Sequence, residues 1–291
     1  MIDLQERQDK MDKVYLQIFS YGFESKMTME EKLKTTAEMG YSGVEFAGGY
    51  DGLTTGQMKE LLEKYHLEAV SSHVDMDSID ESLQYMSELG AKMIVVPGYP
   101  FSNKEEALEC AKLLNKHGER AAKYGIKIGY HNHTGEFYPC EGKPMLDYVI
   151  ENTDPRYVGF QLDCGWASAA GIDVVKYIGQ HAGRFMSIHV KENNAVVGPE
   201  KPHGPNDPMP PMELDENGKP VVTEEMLKMF EESGKANVAT GKGIVNWKLV
   251  KRAADAQGCM AYIVEREWSY NTPKDRIKCL KEDLEYLKNY V

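Results

Sequence analysis

Ionisable side chains recur in this sequence at the ends of short β-branched runs. Glu45 follows Gly43 and Val44, His73 ends the stretch from Leu67, and His131 and His133 close the run that begins at Ile126. Asp163 ends the run from Tyr157, His189 and Lys191 close the run from Phe185, and Glu265 ends the run from Ala261. Successive side chains of a strand point to opposite faces. Ile126, Ile128 and Tyr130 therefore share one face, while Gly129, His131 and His133 share the other. The same parity sets Asp163 opposite Val158, Phe160 and Leu162, and His189 and Lys191 opposite Met186, Ile188 and Val190. It sets Glu265 opposite Tyr262 and Val264. With the apolar faces turned outward, the polar set points inward, Glu45 and His73 included.

Such a set needs a chemical reason. An unpaired buried carboxylate costs several kcal/mol, or shifts its pKa until it is neutral. A divalent cation resolves the conflict, because Asp163, Glu265 and the His189 imidazole can all ligate one. Mixed carboxylate and imidazole donors suit Mn²⁺, Zn²⁺, Co²⁺ or Fe²⁺ better than Ca²⁺. The expected cofactor is thus one divalent ion from that group, or Mg²⁺. A lone strand-end histidine is more often a hydrogen-bonded structural residue, but inward polar ends on consecutive strands point to a functional site. His66, His117 and His181 lie near helix C-termini and are expected to be structural.

The elements that must position these residues alternate along the chain. Strand patterns lie near Val14–Phe19, Gly43–Phe46, Leu67–His73, Met93–Val96, Ile126–His131, Tyr157–Asp163, Phe185–Val190 and Ala261–Glu265. Helical patterns lie near Thr28–Met39, Thr54–Tyr65, Ile79–Leu89, Lys104–Lys123, Met145–Asn152, Val174–His181, Trp247–Gln257 and Pro273–Asn289. Eight strands, each followed by a helix, predict an α/β fold of the closed (β/α)₈ TIM-barrel type. A doubly wound sheet is the alternative, but no G-x-G-x-x-G follows the first strand. Barrel active sites sit at the C-terminal ends of the strands, where the polar set stands. All 291 residues are expected to form one barrel domain. An insertion rich in proline and glycine, at about residues 193–239, interrupts the rhythm and is expected to act as a lid or an oligomer contact, with a helix over Thr223–Glu232.

Composition narrows the partners. The formal net charge is −12, with 46 acidic and 34 basic residues and no basic run to offset it. That balance repels a phosphate backbone and an anionic membrane, so neither nucleic acid nor membrane is an expected partner. Five scattered cysteines without a C-x-x-C pair suggest neither a zinc ribbon nor a disulfide framework. The first ten residues are charged throughout and lack the apolar core of a signal peptide, so the expected location is the cytoplasm. A homo-oligomer is compatible with these features.

At its polar strand ends the chain resembles the xylose isomerase-like TIM barrel family, the sugar phosphate isomerases and epimerases that include tagatose-type 3-epimerases, inosose dehydratase and endonuclease IV-like proteins. The resemblance rests on G-Y-H-N-H-T-G-E-F at 129–137, G-F-Q-L-D-C-G-W at 159–166, I-H-V-K-E at 188–192, G-K-G-I-V-N-W at 241–247 and I-V-E-R-E at 263–267. It implies a metal held by residues at the ends of strands five to eight. Asp163, His189 and Glu265 match the last three ligands, while the family's first ligand, a glutamate, falls on His131. The departure implies a histidine ligand at that place, or a site completed by Glu45 or water. It also removes one of the two carboxylates that shuttle protons in the epimerases.

The chemistry implied is carbonyl activation of a small sugar, sugar phosphate or polyol-derived ketone. A metal would polarise the carbonyl, and a base would remove the neighbouring proton to give an enediolate. Glu265 is the expected base, with His131 or His133 as the partner acid. Returning the proton gives isomerisation or epimerisation, and loss of a β-hydroxyl gives dehydration, the carbon–oxygen lyase alternative. The resemblance assigns Glu136 and Trp166 to substrate contact. Lys191 is expected to meet developing negative charge, and His73 and Glu45 to line the substrate site. An abasic-site endonuclease is disfavoured by the acidic charge. A non-catalytic sugar-binding protein is the remaining reading.

Overall fold

The computed structural model describes residues 11, 13–22, 25–205, 207, 223–224, 236–267 and 273–291. Eight parallel strands close on themselves: β1 (Tyr15–Gln17), β2 (Gly43–Phe46), β3 (Glu68–His73), β4 (Met93–Val96), β5 (Lys127–His131), β6 (Val158–Asp163), β7 (Phe185–Val190) and β8 (Ala261–Val264). Each strand pairs with its neighbour in sequence, and β8 returns to β1 through Tyr15 opposite Ile263 and Leu16 opposite Val264. The closed ring excludes a doubly wound sheet.

The surrounding helices are α1 (Met29–Met39), α2 (Thr55–Tyr65), α3 (Ile79–Glu88), α4 (Lys104–Ala121), α5 (Met145–Glu151), α6 (Cys164–Ala169), α7 (Val174–Gln180), α8 (Trp247–Asp255) and α9 (Pro273–Tyr290). Local chemistry explains where several begin and end. Thr28 and Thr54 accept from the backbone N–H groups of Glu31 and Gln57, whose side chains reach back to the threonine N–H, so both helices start on a reciprocal cap. Gly40 ends α1 at a φ of 95°, a conformation that costs glycine nothing. The short α6 was not expected from the sequence. Its start is set by Asp163, whose Oδ1 accepts from the Trp166 N–H at 2.7 Å.

Two apolar cores result. The larger lies between strands and helices, and a small one of Tyr15, Met93, Val95, Met186, Ala261 and Ile263 fills the lower barrel. Strand parity alone turns Met186 outward, and here the structure differs. Pairing of β6 with β7 jumps from Phe160–Phe185 to Gln161–Ser187, leaving Met186 unmatched. A Cβ added at Gly129 would lie 2.5 Å from Met186 Cε, which places the methionine among the inward residues of β5. Pairing of β2 with β3 jumps in the same way, from Val44–Ala69 to Glu45–Ser71, and leaves Val70 unmatched against the same inner core. Each skip sends an apolar residue into the lower barrel and brings the next residue, Ser71 or Ser187, into the layer above it.

The insertion is closed at its base by an antiparallel bridge between Asn193 and Asn237. Glu192 secures this neck. Its buried carboxylate accepts from Gly241 N at 3.0 Å, Val245 N at 3.1 Å and Trp247 Nε1 at 2.6 Å. Residues 200–205 and Asp207 stand over the loops that follow β4 and β5, and with Tyr99, His133 and Glu136 they line a cavity of about 430 Å³. The helix expected over Thr223–Glu232 falls largely outside the described residues.

Candidate metal centre

The ends of β5 to β8 bring His131, Asp163, His189 and Glu265 together, with one potential ligand atom of each within 4.8 Å of all the others. Asp163 Oδ2 lies 3.9 Å from His131 Nε2 and 3.9 Å from His189 Nδ1, and His189 Nδ1 lies 3.1 Å from Glu265 Oε2. All four residues are buried. Asp163 Oδ2 is buried without a hydrogen-bond partner among the described residues. A tetrahedral ion with bonds of about 2.1 Å keeps its donors about 3.4 Å apart, so these spacings and the orphaned oxygen suit a divalent ion.

Protein charges surround the four donors. Lys191 is fully buried, with Nζ 3.2 Å from Glu265 Oε2, 3.0 Å from Glu267 Oε1 and 3.9 Å from Asp163 Oδ2. The same ammonium lies 4.5 Å from the centroid of the Trp166 ring. Burial pushes Asp163 up to about 6, against the pull of Lys191 and His189. For Glu265 burial acts in the same upward direction, but Lys191 and His189 outweigh it and hold the carboxyl well below the usual range. Burial disfavours the charged form of His189, yet Glu45 and Glu265 raise it to about 10. His131 moves the other way: burial, reinforced by the neighbouring imidazoles His189, His133 and His73, pushes it well below the ordinary histidine value.

Beneath the four donors lies a layer of buried polar groups. Glu45 Oε1 accepts from Gln17 Nε2 at 2.8 Å and meets His189 Nε2 at 2.6 Å. Its Oε2 accepts from Ser71 Oγ at 2.5 Å and Gln161 Nε2 at 2.8 Å. Gln161 Nε2 also reaches Ser187 Oγ at 3.2 Å, while Gln161 Oε1 meets His73 Nε2 at 2.8 Å and His131 Nδ1 at 3.0 Å.

Residues 33–290 match the sequence description of the xylose isomerase-like TIM barrel family. The chain belongs to that family. Among curated proteins it is similar to the inosose dehydratase of Lactiplantibacillus plantarum, 27% identical over 191 residues, which is 56% of this chain and 62% of that protein. The chain therefore matches less than two thirds of that relative's length. Among solved structures, a sugar phosphate isomerase/epimerase from Parabacteroides distasonis superposes with a TM-score of 0.73 at 22% identity, over 96% of this chain and 94% of that one. An IolI protein with a bound zinc atom superposes with a TM-score of 0.66 at 14% identity, over 94% and 97% of the two chains.

Within this xylose isomerase-like barrel, the other expected site residues fall into two groups. His73 and His133 line a cavity of about 1130 Å³ at the mouth, together with the ligands His131 and Glu265 and with Glu267, which was not among the expected residues, and His133 is exposed at its rim. Glu45 and Glu136 are placed differently from the rest. Both Glu45 oxygens are taken by protein groups, and the residue is sealed from solvent. Glu136 accepts from Tyr130 OH at 3.0 Å and from His133 N at 2.9 Å, behind the loop that carries His133. Gln17, Ser71, Gln161, Ser187 and Glu267 were missed from sequence. Gln161 and Glu267 lie within the motifs quoted above, two residues from Asp163 and Glu265, and that spacing was the available signal.

Among the described residues, no helix is long and apolar enough to cross a membrane.

Proposed function

We propose that this chain is a metal-dependent enzyme that removes the proton beside a carbonyl of a small polyhydroxylated substrate, with Glu265 as the base. The observation that carries the reading is the cluster of His131, Asp163, His189 and Glu265 around the orphaned Asp163 oxygen, open to the mouth cavity. These four residues would hold the ion. When bound, it would polarise the carbonyl and acidify the adjacent C–H. Glu265 is ionised at neutral pH because of Lys191 and His189, so it is in the form that accepts a proton. Lys191 stands against Glu265 and Glu267 and balances negative charge in the buried wall. Trp166, half-buried beside Lys191, offers an apolar face for the substrate ring. His133, exposed at the rim, would protonate a departing oxygen. The described insertion residues, above the β4 and β5 loops, would shield the mouth as a lid.

His131 stands where the epimerases have a carboxylate, and its ring is buried against Gln161. Of the two carboxylates among the four ligands, Glu265 lines the mouth cavity, which suits a proton taken and returned on one side, or taken with loss of water. The name of the similar curated proteins, inosose dehydratase, supports loss of water from a cyclic polyol ketone. Isomerisation is the second reading, because the same one-sided proton transfer serves it.

The test is to incubate the metal-loaded protein in D₂O with an inosose and with a panel of ketoses and aldoses. Dehydration gives an unsaturated ketone with new ultraviolet absorbance, and isomerisation gives deuterium at carbon without it. Neither signal from any substrate, at full metal occupancy, would overturn the proposal.

A further inference from the structure

The polar layer beneath the site fixes more than position. Gln161 Nε2 lies 2.8 Å from a Glu45 oxygen, and an ionised carboxylate can only accept, so the amide nitrogen must face it. Glu45 also accepts from Gln17 Nε2, Ser71 Oγ and His189 Nε2, so both of its oxygens act as acceptors. The amide oxygen of Gln161 is thereby turned toward His73 Nε2 and His131 Nδ1. A carbonyl oxygen also only accepts, so both ring nitrogens carry protons. His131 is left with its lone pair on Nε2, the atom that faces Asp163 Oδ2. On the other side, Glu45 Oε1 takes the proton of His189 Nε2, which leaves Nδ1 as the atom facing Asp163 and Glu265.

We infer that Gln161 and Glu45 form one clamp that selects the tautomers of both histidines, committing His131 to coordinate through Nε2 and His189 through Nδ1. The inference rests on the metal centre proposed above and goes one step further. The donor set is then two imidazole nitrogens and two carboxylates. Such a set favours borderline ions, Zn²⁺, Co²⁺ and Fe²⁺, over Mg²⁺, which prefers oxygen ligands and retained water. Gln161 and Glu45 are positioning residues in this scheme. Ser71, Ser187 and Gln17 hold them in register, and the skips in β3 and β7 place both serines beneath the site.

The direct test uses wild-type protein labelled with ¹⁵N-histidine and loaded with Zn²⁺. Nitrogen chemical shifts distinguish protonated from metal-bound ring atoms. His131 is expected to carry its proton on Nδ1 and the metal on Nε2, and His189 the reverse. The opposite assignment at either residue overturns the inference while leaving the metal centre standing. No zinc uptake by wild type overturns both. A second measurement follows Zn²⁺ affinity by competition with a chelator. Gln161→Leu should weaken it by about 10–100-fold, the usual cost of losing such a partner. In a His131→Glu background, where the ligand has no tautomer to choose, the same substitution should cost much less. Equal losses in both backgrounds count against the clamp.

Discussion

At the scale of the residue, His189 and Glu265 carry the sharpest predictions. Glu265→Gln keeps the shape of the side chain and removes its basicity. With metal content measured alongside, kcat should fall by about 10²–10⁴ and far more than KM rises, as expected for loss of a positioned base. Near wild-type turnover in a metal-loaded Glu265→Gln protein would move attention to His133. His189 makes a second, independent prediction. Its pKa of about 10 means that the metal-free imidazole is protonated at pH 8, so an incoming ion must expel that proton. Calorimetric titration with Zn²⁺ in buffers of different ionisation enthalpy should report about one proton released at pH 8. The release should grow as pH falls toward 6, where Asp163 also begins to hold a proton. No release at pH 8 would show that His189 is not displaced to a neutral ligand. Apart from Glu267, the charged members of this cluster were legible in the sequence, because strand parity forces an explanation for a carboxylate or imidazole turned inward. Gln161, Ser71 and Gln17 were not. A neutral polar residue in a strand is unremarkable until its partner is known, and Glu45 lies 116 residues from Gln161.

At the scale of the element, the strand bounds were legible within a residue or two at most ends, since β-branched runs bounded by turn residues leave little choice. The inward order of β3 and β7 was not, because a period of two breaks where pairing skips Val70 and Met186. Nothing in the residue types marks such a skip. The neck of the insertion shows the same limit. Its sequence motif, G-K-G-I-V-N-W, was visible, but the reason for the glycines lies in the partner Glu192. A Cβ on Gly243 would stand 2.1 Å from Asn193 O and 2.5 Å from Glu192 Oε1. Gly243→Ala must therefore push the two arms of the neck apart. Limited proteolysis should cut this variant between residues 193 and 243 much faster than wild type, with the barrel core left intact. Unchanged cleavage would mean that the neck tolerates the displacement, and the role given to Glu192 as its fastener would fall.

At the scale of the whole molecule, the relation between metal and stability follows from how the buried charges are already arranged. Glu45, Asp163, Glu265 and Glu267 face Lys191 and the raised His189, so the site is partly neutralised by the protein itself. The two apolar cores surround it on both sides of the strands. A barrel so built has no need of an ion to fold, unlike a small zinc module whose folding is its metal binding. Chelation should leave the far-ultraviolet circular dichroism of the protein unchanged. Binding to the native state alone still adds stability, about 2.7 kcal/mol at a free metal concentration one hundred times Kd. For a chain of this length that corresponds to a rise of roughly 5 °C or more in Tm. His189→Ala should fold, take up little metal and show almost none of that rise, because the remaining donors lose both a ligand and the group that Glu45 positions. If His189→Ala gains as much as wild type on adding Zn²⁺, the ion binds elsewhere and the cluster at the ends of β5 to β8 is not the metal centre. If instead chelated wild type loses its secondary structure, the ion is part of the fold, and the balance of buried charge described here does not suffice without it.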